Sequence, residues 1–103
     1  MEFFTVSLKF WVMGVIRREI TIINKLGLHA RAAAKFVTLA STFESDVQLA
    51  RDERVVNGKS IMGVMMLAAS KGVSLVLIIE GSDEEEALGK LQQLILDRFG
   101  EPE

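Results

Sequence analysis

Cysteine is absent from this chain, and proline and histidine each occur once in 103 residues. Without thiols there is neither a disulfide framework nor a thiolate metal site, which fits a reducing cytoplasm. A lone histidine leaves no second imidazole for a metal site and no Cys/His pair, so neither metal nor cofactor is expected. Scarce proline and 50% hydrophobic residues argue against disorder over most of the length. The formal charge of −2 lacks the basic excess of a nucleic-acid binder. No membrane span is expected either. Met1–Gly14 carries Phe3, Phe4, Phe10 and Trp11, but it is too short to cross a bilayer and Lys9 interrupts it. Glu2 replaces a basic n-region and no small-residue cleavage site follows, so a signal peptide fits poorly. Residues 1–14 are read as an N-terminal extension, disordered or dispensable, with an added edge strand or partner contact as the alternative. Met13 opens the functional part, and residues 15–103 form one domain with room for one sheet and a helical layer.

The pattern within that domain is regular. Ile16 to Ile23 alternates and is rich in β-branched residues, which predicts a half-buried strand. After the turn Asn24-Lys25-Leu26-Gly27, the stripe Ala33, Phe36, Val37, Ala40 predicts a helix from Ala30 to about Thr42. Asp46 to Leu49, the turn Asp52-Glu53 and Arg54 to Val56 make a hairpin. Asn57-Gly58 turns the chain, and Ser60 is the N-cap of a short helix through Met66. Val73 to Glu80 is a strand with Val73, Leu75, Leu77 and Ile79 on one face. Ser82 to Glu85 reads as a capping box, opening a helix that buries Ala87, Leu88, Leu91, Leu94, Ile95 and Phe99 and stops at Gly100 and Pro102. The order β-α-β-β-α-β-α predicts an α+β, open-faced sandwich: a four-stranded antiparallel sheet with three helices on one face.

Chemistry concentrates at two helix starts. His29 stands as N-cap, followed by the unpaired amides of Ala30, Arg31 and Ala32, where a helix favours an anion. The same dipole disfavours imidazolium and so favours a neutral, nucleophilic ring. A phosphoryl group on that ring would gain roughly 0.3–2 kcal/mol from the dipole, modest enough to be passed on. Arg31 is a cation in a first helical turn, an unfavourable place unless an anion offsets it, and its guanidinium suits phosphate oxygens. Ser60 is an ordinary N-cap, yet Ile61, Met62 and Met65 surround it, and a thin core cannot hold them all. A phosphate there would place about two negative charges in a Met-rich recognition patch. Lys59 and Lys71 frame that patch or simply solubilise it.

Other chemistries find no support. Gly58-Lys59-Ser60 looks like the end of a P-loop, but the upstream glycine is missing. Ser60 has no nucleophile elbow or oxyanion hole. The acids from Asp83 to Glu86 belong to a helix start, not to a catalytic pair.

Asn24-Lys25-Leu26-Gly27-Leu28-His29-Ala30-Arg31 resembles the active-site segment of the HPr phosphocarriers of the bacterial phosphoenolpyruvate-dependent phosphotransferase system. Val56-Asn57-Gly58-Lys59-Ser60-Ile61-Met62-Gly63 resembles their regulatory-serine segment, and the likeness extends from about Ile16 to Gly100. It implies a carrier rather than an enzyme. Enzyme I would phosphorylate Nδ1 of His29, Arg31 and the amides of Ala30 and Arg31 would steady the phosphate, and an EIIA-type acceptor would take it. An HPr kinase/phosphorylase would modify Ser60, and Ile61, Met62 and Met65 would dock partners. A cytoplasmic monomer is implied. The family usually has proline where Ala32 stands, a substitution expected to loosen the first turn slightly. The Asn24–Gly27 approach looks more like the nitrogen-related and proteobacterial branch than the sugar-transport one, which leaves a regulatory-only paralogue as an alternative. The residues alone also allow a ligand-binding regulatory domain in which His29 is incidental, or an interaction module switched only at Ser60.

Overall fold

A computed structural model describes residues 15–103, so the reading of Met1–Gly14 as an extension lies outside the described residues. The chain runs β1 (Val15–Thr21), α1 (Ala30–Ala40), β2 (Asp46–Arg51), β3 (Arg54–Asn57), α2 (Ile61–Met65), β4 (Ser74–Glu80) and α3 (Glu84–Leu96), then a 3-10 turn, Arg98–Gly100. Four strands form one sheet in the order β1-β4-β2-β3. Every neighbouring pair is antiparallel, with Ile20 opposite Leu75, Leu49 opposite Leu77, and Leu49 opposite Val56. The expected open-faced sandwich is the observed fold.

One face of the sheet makes the core. Ile20, Val47, Leu49, Leu75, Leu77 and Ile79 point from it into a cluster with Phe36, Val64, Leu91, Ile95 and Phe99. Alternation on β4 is clean because burial follows the two-residue period of a strand with one wet face. In α1 the buried residues are Ala32, Ala33, Phe36, Val37 and Ala40. The alanines let the helix lie close to its neighbours, and Phe36 supplies bulk, about 1.5–3 kcal/mol of burial.

Several boundaries move. β1 ends at Thr21 rather than Ile23, yet Ile22 stays core and exchanges backbone hydrogen bonds with Val73 and Gly72 outside regular strand. α1 stops at Ala40, two residues early, where the amides of Ser41, Thr42 and Phe43 close the end. The expected capping box does not form, since the N-cap side chain makes no bond to its own helix. Asp83, not Ser82, is the N-cap of α3, and Glu84 rather than Glu85 reaches back, accepting from the Gly81 amide at 2.9 Å. The Asp83 carboxylate leaves its own helix and accepts from the amides of Glu44 and Ser45 at 2.9 and 3.0 Å and from the Ser45 hydroxyl. Phe99 is buried as expected, but not on α3. That helix ends at Leu96, and Arg98, Phe99 and Gly100 take left-handed φ values of 57°, 55° and 80°. Two such non-glycine residues cost of order 1–3 kcal/mol each, which burial of Phe99 offsets in part.

Candidate functional site

His29 arrives where the sequence predicts it, as N-cap of α1 with extended backbone (φ −74°, ψ 178°). The approach to it is rigid. Gly27 has φ +72°, and a Cβ there would lie 2.6 Å from the Ala69 carbonyl oxygen. Only glycine fits both constraints. The Leu28 amide then donates to that same carbonyl at 2.8 Å, tying the loop to the segment after α2.

The imidazole does not cap its helix. Instead Nε2 pairs with Oε2 of Glu101, 72 residues away. The ring is 29% exposed and the Glu101 side chain 12%, so solvent reaches the histidine while the carboxylate is sheltered. Asn24, fully buried, holds the other carboxylate oxygen. Its Nδ2 donates to Glu101 Oε1 at 2.9 Å and to the Gly27 carbonyl at 2.8 Å. These contacts hold the Glu101 carboxyl below its ordinary range. The Asn24 amide is the first cause and His29 follows; Arg31 adds its charge, all against the opposing effect of burial. Neither Asn24 nor Glu101 was anticipated as part of the site. The signal available was an acid just past the helix-stopping Gly100, and an asparagine in the turn before the histidine.

Arg31 is exposed and lines the same cleft as His29, Leu26, Glu101 and Pro102, a cavity of about 630 Å³. Glu101 is an anion in the same cleft, and the Arg31 charge contributes to holding its carboxyl low. Among the described residues, nothing accepts a hydrogen bond from the amides of Ala30, Arg31 and Ala32. The helix that His29 precedes therefore opens on three donors without partners. Ala32 is fully buried as the third helical residue.

Ser60 is the N-cap of α2, and its Oγ accepts from the Gly63 amide at 3.1 Å. The far end of this five-residue helix is secured from the hairpin. Arg51 donates to the Leu67 and Ala68 carbonyls, both at 2.9 Å, and Arg54 to that of Met66 at 3.2 Å. With its backbone held this way, α2 buries only Val64 and presents Ile61, Met62 and Met65 outward, with Met66 beside them; Met62 is 72% exposed. Lys59 does not stand free, since its Nζ donates to the Phe43 carbonyl at 2.8 Å. Lys71 is exposed.

No cluster of potential metal ligands occurs among the described residues, and none of their helices is long and apolar enough to cross a membrane. An open-faced sandwich with an accessible imidazole among unpaired helix amides has the layout of a small carrier domain. Residues 16–97 match the family described as the PTS HPr component phosphorylation site. Phosphocarrier protein HPr of Cupriavidus necator is 55% identical over 89 residues, covering 86% of this chain and all of that protein. A crystal structure of HPr from Thermoanaerobacter tengcongensis superposes with a TM-score of 0.82 at 49% identity, covering 85% of this chain and 99% of that one. A second structure from that organism, of an HPr dimer, is 52% identical with a TM-score of 0.66, covering 80% and 94% of the two chains. The chain belongs to the HPr family, and it is a phosphocarrier rather than an enzyme.

Proposed function

We propose that this phosphocarrier takes a phosphoryl group from enzyme I onto Nδ1 of His29 and hands it to an EIIA-type acceptor. One observation carries the assignment: Nε2 is occupied by Glu101, which leaves Nδ1 as the free ring nitrogen beside three amides without partners. Arg31 and the amides of Ala30 and Arg31 hold the phosphate oxygens, a helix N-terminus being a natural anion site. Ring, carboxylate and amides all come from one chain, which supports action as a monomer. Ser60 is the regulatory site for an HPr kinase/phosphorylase, and Ile61, Met62 and Met65 form the surface on which partners dock. A phosphate on Ser60 hinders docking by charge, in the middle of an apolar patch.

Incubation with enzyme I and labelled phosphoenolpyruvate tests the relay. The wild type is expected to take up acid-labile label, and His29→Ala none, while both still unfold cooperatively in urea. A wild type left unlabelled by a competent enzyme I overturns the reading.

A further inference from the structure

We infer that Glu101 is a positioning residue for His29, fixing the ring tautomer so that Nδ1 presents its lone pair to the incoming phosphorus. The phosphoryl-transfer part of this inference rests on the function proposed above; the tautomer part stands on geometry alone. A neutral imidazole has one N–H and one lone pair, and an ionised carboxylate only accepts hydrogen bonds. The nitrogen that faces Glu101 must therefore be the donor, and that nitrogen is Nε2.

The carboxylate is built in rather than incidental. Both of its oxygens are engaged, Oε2 by the ring and Oε1 by buried Asn24. Its backbone follows three left-handed residues, Arg98 to Gly100. Phe99, fully buried, pins that turn to the core. Lys35 of α1 donates to the Phe99 carbonyl at 2.8 Å, so the helix that carries the histidine also holds the turn that carries its partner. The other charged groups around the cleft are Arg31, Lys25 and Glu103. Lys25 and Glu103 pair with each other at 3.6 Å, and Arg31 and Glu101 are opposite in sign.

The transfer step then needs no proton movement. The Nδ1 lone pair attacks phosphorus, and the N–P bond forms as the donor's bond to phosphorus breaks and the donor leaves with that electron pair. Nε2 keeps its proton throughout, so the phosphorylated ring is cationic. The helix start disfavours that cation, and the Glu101 carboxylate against Nε2–H balances it. On hand-over the electron pair of the N–P bond returns to Nδ1 and the ring is neutral again.

Nitrogen NMR of the full, unphosphorylated chain, above the imidazole titration range, reads the tautomer directly. The wild type is expected to carry its proton on Nε2, and Glu101→Ala a mixture of tautomers. Glu101→Gln has one oxygen where the carboxylate has two; Asn24 Nδ2 claims it, so the new NH2 faces Nε2 and the Nδ1–H form is expected to gain. Initial labelling rates with enzyme I are expected to fall at least about tenfold in Glu101→Ala, the scale of a lost charge-assisted hydrogen bond. They fall in Glu101→Gln as well, and urea midpoints of all three check that folding is intact. A wild-type proton mainly on Nδ1, or a Glu101→Ala protein with unchanged tautomer and rate, overturns the inference. A wild type that takes no label at all sinks the relay reading, while the nitrogen spectra still decide the tautomer.

Discussion

Ser60 and His29 occupy the same position in their helices, one residue ahead of the first turn, and use their side chains in opposite ways. The serine oxygen is turned inward onto the Gly63 amide and stabilises α2 itself. The imidazole contributes nothing to capping α1 and is held from outside, by a carboxylate from the other end of the chain. α2 is a single short stretch, which cannot persist on helix propensity and needs its cap and the two hairpin arginines. α1 is longer and anchored by five buried residues, so its first three amides can be left unpaired for a ligand. Asp83, the N-cap of α3, falls on the histidine's side of this contrast, its carboxylate serving the turn at Glu44 and Ser45. A helix with enough burial can release its N-cap for other work; one without it cannot.

The most severe break in that contrast is Phe99→Ala. It removes the anchor of the left-handed turn and is expected to cost about 3–5 kcal/mol in urea unfolding, as buried phenylalanine truncations do. The His29–Glu101 pairing should loosen with it, visible as ring-proton line broadening.

Next comes Gly27→Ala, where a Cβ would meet the Ala69 oxygen and the backbone would stay at positive φ. A loss of about 1–3 kcal/mol is expected, together with amide shifts at both Leu28 and Ala69, because those two residues share a hydrogen bond.

The two caps themselves give smaller effects of different origin. Ser60→Ala should cost about 1 kcal/mol, the usual value of an N-cap hydroxyl. His29→Ala removes no cap, and its loss of about 1 kcal/mol comes from the Glu101 pairing, so it should vanish in a Glu101→Ala background. A His29→Ala loss that persists there would erase the contrast.

Smallest is a pH effect at Asp83. The Ser45 hydroxyl, then the Glu44 amide, hold its carboxyl below the ordinary value of 3.8. A carboxyl lowered by folding contributes stability that is present in full above its unfolded value. That stability is lost as the pH falls through the folded value. Urea midpoints should therefore decline below about pH 4, and more gently in Asp83→Asn. Glu101 adds a slope of the same sign that this substitution leaves in place.

The element order and both helix starts were legible because each is written locally. Alternation around Leu75, Leu77 and Ile79 marks a strand, and a polar residue before an apolar stripe marks a cap. Glu101 was not legible. Its place depends on φ values at Arg98 and Phe99 that neither residue type announces, and Phe99 in a helical pattern reads as one more core position of α3. Asn24 reads as a turn residue, and only tertiary packing turns it into a buried donor for a distant acid. Asp83 misled for the same reason, since its partners lie on another loop.

Because the carboxylate that sets His29 lies 72 residues further along the chain, the site is complete only once the turn that carries it has docked. A chain clipped ahead of Glu101 would expose an imidazole with no fixed proton, and would be a poor substrate for any donor. In this sense the reactive nitrogen reports the docking of a distant turn.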